Sequence, residues 1–68
     1  MRGIYKGYTV EVYRTGGYGD HKESARNIIR NSDNFIVLED YHTGPGTIQQ
    51  QMKELREHVD VVIERGGE

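Results

Sequence analysis

Residues 20–32, DHKESARNIIRNS, carry the reading from which the topology follows. Asp20 and Glu23 stand three apart, the spacing of a capping box at a helix start. Ala25, Ile28, Ile29 and Ser32 then recur at i, i+3, i+4 and i+7, which gathers them into one helical stripe. Asn31, Asp33 and Asn34 close the segment with residues that prefer turns to helix interiors. The expectation is a helix flanked by strands.

Upstream, residues 8–14 read YTVEVYR. Tyr8, Val10 and Val12 alternate with Thr9, Glu11 and Tyr13, the period of a strand. Residues 3–7, GIYKG, suggest a short hairpin strand before it, turning at Lys6-Gly7. Downstream, residues 35–39 read FIVLE, and four consecutive apolar residues suggest a strand covered on both faces. Thr47 and Gln50 repeat the capping-box spacing, and Ile48, Met52, Leu55 and Val59 form a second helical stripe. Residues 61–64, VVIE, read as a last short strand, and residues 65–68 as a loose tail. The order is strand, helix, strand, helix, strand. Val10, Ile36 and Val62 fall 26 residues apart, as a repeated strand–loop–helix unit would place them. The sequence thus predicts one α/β domain over residues 1–68, a small βαβαβ sheet that is largely parallel. The alternative arrangement of the same elements is α+β with an antiparallel sheet.

Composition narrows the class. The chain has 68 residues, of which 29% are charged and fifteen are Ile, Leu, Val or Phe. It has no cysteine, hence no disulfide and no thiolate metal site. No apolar run approaches the ~20 residues that span a bilayer, and no signal-peptide pattern follows Met1. A cytoplasmic protein is expected. A domain of this size buries only about 60% of its unfolded surface, so its core is marginal and oligomerisation is a common remedy. If both helices cover one side of the sheet, the other side is half apolar. Tyr13, Phe35, Val37 and Val62 are then the expected contacts of a homodimer. Residues 1–32 carry six Lys and Arg against three Asp and Glu, while residues 33–68 carry three against eight. The two halves are expected to pair internally.

The glycines cluster at Gly16, Gly17 and Gly19, at Gly44 and Gly46, and at Gly66 and Gly67. In a parallel sheet all three places follow carboxyl ends of strands and share one edge, where open α/β sheets bind ligands. Arg14, Thr15, Tyr18, Tyr41, His42 and Thr43 lie in the same loops. A nucleotide or another phosphorylated small molecule is the ligand class this suggests. The first helix would open with Asp20 and Glu23, which repel an anion. The second opens Thr47-Ile48-Gln49-Gln50, with no acid in its first turn. A phosphate is therefore expected at Gly44, Gly46 and Thr47, with Arg14 or His42 lending charge. Neither loop matches the Walker or dinucleotide glycine patterns.

Lys22, Arg26 and Arg30 recur every four residues and could track a nucleic-acid backbone, although a pI near 5.9 weighs against this. The plainer account is a solvated face paired with Glu54 and Glu57. Asp20, His21, Asp40 and His42 lack any recognised metal-ligand spacing, so no metal and no cofactor is expected. Ser24 and Ser32 have no evident His and acid partners, and neighbours Glu39 and Asp40 point to opposite faces of a strand. The combined expectation is a small non-enzymatic, homodimeric interaction module that binds another macromolecule. Tyr18, Tyr41 and His42 suit a partner surface. Accessory and inhibitory proteins of phages and mobile elements are commonly of this size. Phosphorylated-ligand binding and nucleic-acid binding are the alternatives.

Overall fold

The structure, a computed structural model, describes residues 1–17 and 22–66. Residues Arg2–Tyr5 form β1, Tyr8–Gly16 β2, Glu23–Arg30 β3, Phe35–Thr43 β4, and Ile48–Glu64 the helix α1. The strands lie in the order β1-β2-β3-β4, and every neighbouring pair is antiparallel. This is an α+β fold. The expected parallel βαβαβ sheet is not what forms, and the antiparallel alternative is.

The difference lies in residues 23–30. They form the strand β3, with no helix. Spacings of four are even, so they satisfy a strand face as well as a helix stripe. Ser24 and Ile28 are fully buried under α1, and Arg26 and Arg30 share that face. Ile29, adjacent to Ile28 in a helical stripe, lies on the opposite side of the sheet. Glu23, Ser24, Ala25, Arg26 and Asn27 are poor strand formers. Two long neighbours, β2 and β4, offer them a complete ladder of backbone partners, and tertiary pairing outweighs weak propensity. A lone helix of this length would be marginal.

The short N-terminal hairpin is present. Lys6 and Gly7 both take positive φ, 51° and 84°, as a two-residue turn matched to strand twist requires. The turn at residues 31–34 places Asn34 at φ 59°. Asp33 accepts from the Phe35 amide at 3.1 Å and from Arg30 at 2.7 and 3.0 Å. The run FIVLE is not covered on both faces. A bulge opposite Ile28 and Ile29 turns Val37 and Leu38 both toward the core, while Phe35 and Ile36 stay exposed.

Residues 61–64 extend α1. Met52, Leu55, Val59 and Val62 stand 3, 4 and 3 apart, so Val62 continues the buried stripe. They pack on Tyr8, Val10, Val12 and Ile28, which form the core with them. Arg65 caps the helix, and Gly66 follows at φ 101°, donating to the Ile63 carbonyl. The 26-residue interval therefore joins two strands and a helix, and marks no repeat.

The oppositely charged halves do meet. Lys6 pairs with Asp60 at 2.8 Å, Arg26 with Asp40 at 2.8 Å and Glu54 at 3.6 Å, and Arg30 with Asp33.

A urea titration should separate the two faces of the core elements. Ile28→Ala is expected to cost about 2–5 kcal/mol, since Ile28 is fully enclosed. Val61→Ala, on the outer face of α1, is expected to stay within about 0.5 kcal/mol. Equal losses at both positions would contradict the register described.

Candidate functional site

In a meander, alternate strands run the same way. The carboxyl ends of β2 and β4 therefore lie at one end of the sheet, with β3 between them. Gly16 and Gly17 follow from β2 there, and Gly44 and Gly46 follow from β4. Two of the three glycine places thus share an end despite the antiparallel order. Gly66 follows α1 at the opposite end, beside the Lys6–Asp60 pair. Tyr18 and Gly19, and Gly67, lie outside the described residues.

Four short steps build the site from this end. The Gly44 amide donates to the Lys22 carbonyl at 3.0 Å, tying the two loops together. Gly44 and Gly46 hold φ of 132° and 134°, which turns the chain from β4 into α1. Thr47 then closes a full capping box. Its hydroxyl accepts from the Gln50 amide at 3.1 Å, and the Gln50 side chain accepts from the Thr47 amide at 2.9 Å. The amides of Ile48 and Gln49 have no intrahelical carbonyl within reach, and no acidic residue occupies the first turn.

Arg14 sits at the end of β2 on the side that faces α1. Its guanidinium donates to the buried Ser24 hydroxyl at 3.1 Å and to the Gly46 carbonyl at 3.5 Å. Arg14, Lys22, Gly46, Thr47, Ile48 and Gln49 line a hollow of about 470 Å³. A second hollow of about 360 Å³ lies across Pro45 and Gly46, where His42, Gln51, Lys53, Glu54 and Glu57 mix both signs of charge. Gln51 is 1% exposed, and neither its amide nitrogen nor its oxygen has a partner. Buried polar groups are seldom left so.

The remaining expected residues are dispersed. Tyr41 is 76% exposed on the uncovered side of the sheet, away from the hollow. His42 contacts the Pro45 carbonyl at 3.4 Å beside the second hollow. Val62 is core and Val37 packs against the core, so neither is free for a dimer. Phe35 stacks under the Arg30 guanidinium at 5.0 Å, and Tyr13 is exposed on the uncovered side.

The basic series Lys22, Arg26 and Arg30 is largely neutralised. Arg26 is bidentate to Asp40, at 2.8 Å on both oxygens, with Glu54 close by. Arg30 is bidentate to Asp33. Hydrogen bonding from Arg26 holds the Asp40 carboxyl below its ordinary range. Arg30, with help from the Phe35 amide, lowers Asp33 to about 2. Lys22 alone of the series reaches the hollow. Lys22 was expected in the basic series and not at this hollow, and Gln51, beside the second hollow, was not expected at all. Among the described residues no group of three His, Asp or Glu side chains could hold a metal ion. No helix among them is long and apolar enough to cross a membrane. No family model, curated protein or solved structure matches the chain.

Lowered carboxyl pKa values give stability that is complete above the unfolded value near 3.8 and is lost as pH falls through the folded one. Melting temperature is therefore expected to hold down to about pH 5 and then fall. Asp33→Asn should flatten the part of the fall between about pH 4 and 2. A melting temperature of the wild type that stays level down to pH 2 would contradict the two ion pairs.

Proposed function

We propose that the chain binds a phosphorylated small molecule, with a nucleotide as the representative case, at the mouth of α1. The observation that carries this reading is the convergence of Arg14, Lys22 and the open first turn of α1 on one hollow. No carboxylate is among the described residues that line it.

Each part contributes a separate effect. The helix start places about half a positive charge at the mouth, and its unpaired amides point outward. Arg14 offers a planar fork suited to two phosphate oxygens, and Lys22 a mobile point charge. The 3.5 Å bond from Arg14 to Gly46 is long enough to yield to a ligand oxygen. A volume near 470 Å³ lies in the range of small-molecule sites.

Thermal shift with inorganic phosphate, pyrophosphate, AMP and ATP tests the reading. A ligand at a hundredfold excess over its dissociation constant adds about 2.7 kcal/mol of stability. In a domain this small that raises Tm by roughly 10 °C or more. Arg14→Gln and Lys22→Gln are each expected to weaken binding about tenfold, as loss of one charge-assisted hydrogen bond does. Four silent ligands, or a shift that survives the double variant, would refute the site.

A further inference from the structure

We infer that the uncovered face of the sheet is a self-complementary interface, and that its occupant is a second copy of this chain. This is independent of ligand binding at the mouth of α1. The register sorts the uncovered face into three rows that run across the strands. The first is Ile4, Thr9, Ile29, Ile36. The second is Arg2, Glu11, Asn27, Glu39. The third is Tyr13, Ala25, Tyr41. Ile4 is 75% and Tyr41 76% exposed, and Ile36 and Tyr13 are about half exposed. Four large apolar side chains exposed on one sheet face mark an interaction surface, although Thr9 between Ile4 and Ile29 is only 5% exposed.

Charge decides how two such faces can meet. Aligned sheets pack with their strand directions within about 30°. Two symmetric choices follow, with the two-fold axis lying between the sheets, either across the strands or along them. An axis across the strands sets Arg2 on the partner's Arg2, Glu11 on the partner's Glu11, and Glu39 on the partner's Glu39. Like charges face each other at three of the four positions of the middle row, which is unfavourable.

An axis along the strands, between β2 and β3, reverses each row. Arg2 then meets the partner's Glu39, and Glu11 meets the partner's Asn27. Ile4 meets the partner's Ile36, Thr9 meets the partner's Ile29, and Tyr13 stands over the partner's small Ala25. Arg2, its side chain 68% exposed, adds the partner's Glu39 to its own-copy contact with Glu11. The Ile4–Ile36 and Tyr13–Ala25 pairings match in polarity or size, while Thr9 is only 5% exposed and Tyr41 has no counterpart in its row. In an isologous interface each pairing occurs twice. Four strands about 4.8 Å apart, carrying three rows about 7 Å apart, give each copy roughly 400 Å² of projected area. Two copies bury about 800 Å², short of the ~1,000 Å² that a stable specific interface needs, so a weak dimer is expected.

Arg2 and Glu39 stand on opposite edges of one sheet, about 14 Å apart and beyond direct contact within a copy. Arg2 also stands 3.5 Å from Glu11 in its own copy, so Arg2→Glu disturbs that pair as well, and it is the repair by the double variant that reads contact between copies. Sedimentation velocity over 1–200 µM is the measurement. The wild type is expected to pass from monomer to dimer in this range. Arg2→Glu and Glu39→Arg should each raise the dissociation constant tenfold or more, and the double variant should recover most of that loss. Ile4→Lys, at an exposed position that cannot disturb the core, should give a monomer with an unchanged circular-dichroism spectrum. A wild type that stays monomeric at 200 µM would overturn the proposal and leave the face to a different macromolecule. So would a dimer indifferent to Arg2→Glu, or single losses that the double variant does not repair.

Discussion

The architecture rests on one helix packed across one face of a four-stranded sheet. Val10, Val12 and Ile28 meet Leu55, Val59 and Met52 there, and all are buried to within a few per cent. Apolar burial is the main force available to a chain without disulfides. A single helix about 10 Å across covers only the middle of a sheet close to 20 Å wide. It therefore lies along β2 and leaves the flanks of its own face to polar and ionic closures. Tyr5 and Lys6 reach Asp60 on one flank, and Arg26 reaches Asp40 and Glu54 on the other. Lys6, Asp60, Asp40 and Glu54 are about half exposed, and Arg26 is 16% exposed. These pairs contribute little to stability individually. Their positions on both sides of α1 resist its rotation about the apolar stripe.

The same helix sets the chemistry of one end of the molecule. To lie on β2 after leaving β4 it must start where both strands finish. Its positive end is thereby brought beside Arg14 and the loop that follows β2. In a meander the even strands are co-directional, so this juxtaposition needs no parallel neighbours. Gly44 and Gly46 supply the left-handed conformations that reverse the chain in four residues. Gln50 closes the cap with its amide where many helices use a carboxylate, which keeps negative charge out of the first turn.

Much of this was legible in the residues, and the failures share a cause. The strand over residues 8–14, the hairpin turn at Lys6-Gly7, the start of α1 at Thr47 and the acid-free first turn all follow from short-range rules. The convergence of Arg14, Gly46 and Thr47 was expected from a parallel sheet and arises for a different reason, the shared direction of β2 and β4 in the antiparallel meander. What was not legible depended on partners. Ser24, Arg26 and Ile28 satisfy both a period of two and a spacing of four, and only the ladders from β2 and β4 decide between them. Val37 and Leu38 both turn inward because of a bulge, a feature with no signature in FIVLE. Val62 looked like part of a strand because Val61, Val62 and Ile63 are β-branched. The stripe from Met52 through Val59 extends to it at helical spacing, and burial outweighs the propensity. Lys22 was grouped with Arg26 and Arg30 by spacing, although the fold gives those two arginines carboxylate partners.

The two proposed surfaces constrain each other. An axis along the strands puts the helices on the outer faces of a four-layer assembly and sends both α1 starts to the same end. That arrangement aligns two helix dipoles, and the cost must be set against the Arg2–Glu39 pairing. With sheets about 10 Å apart and helices beyond them, the two positive ends are roughly 30 Å from each other. Half charges at that distance in water repel by only about 0.03 kcal/mol, and salt reduces this further. A like-charge row in the alternative arrangement would place full charges within several ångströms, at a cost some tenfold or more greater. The middle row of the sheet, not the helices, therefore selects the symmetry. In the proposed dimer, two cation-lined mouths would open at one end, each on an outer face and clear of the shared interface.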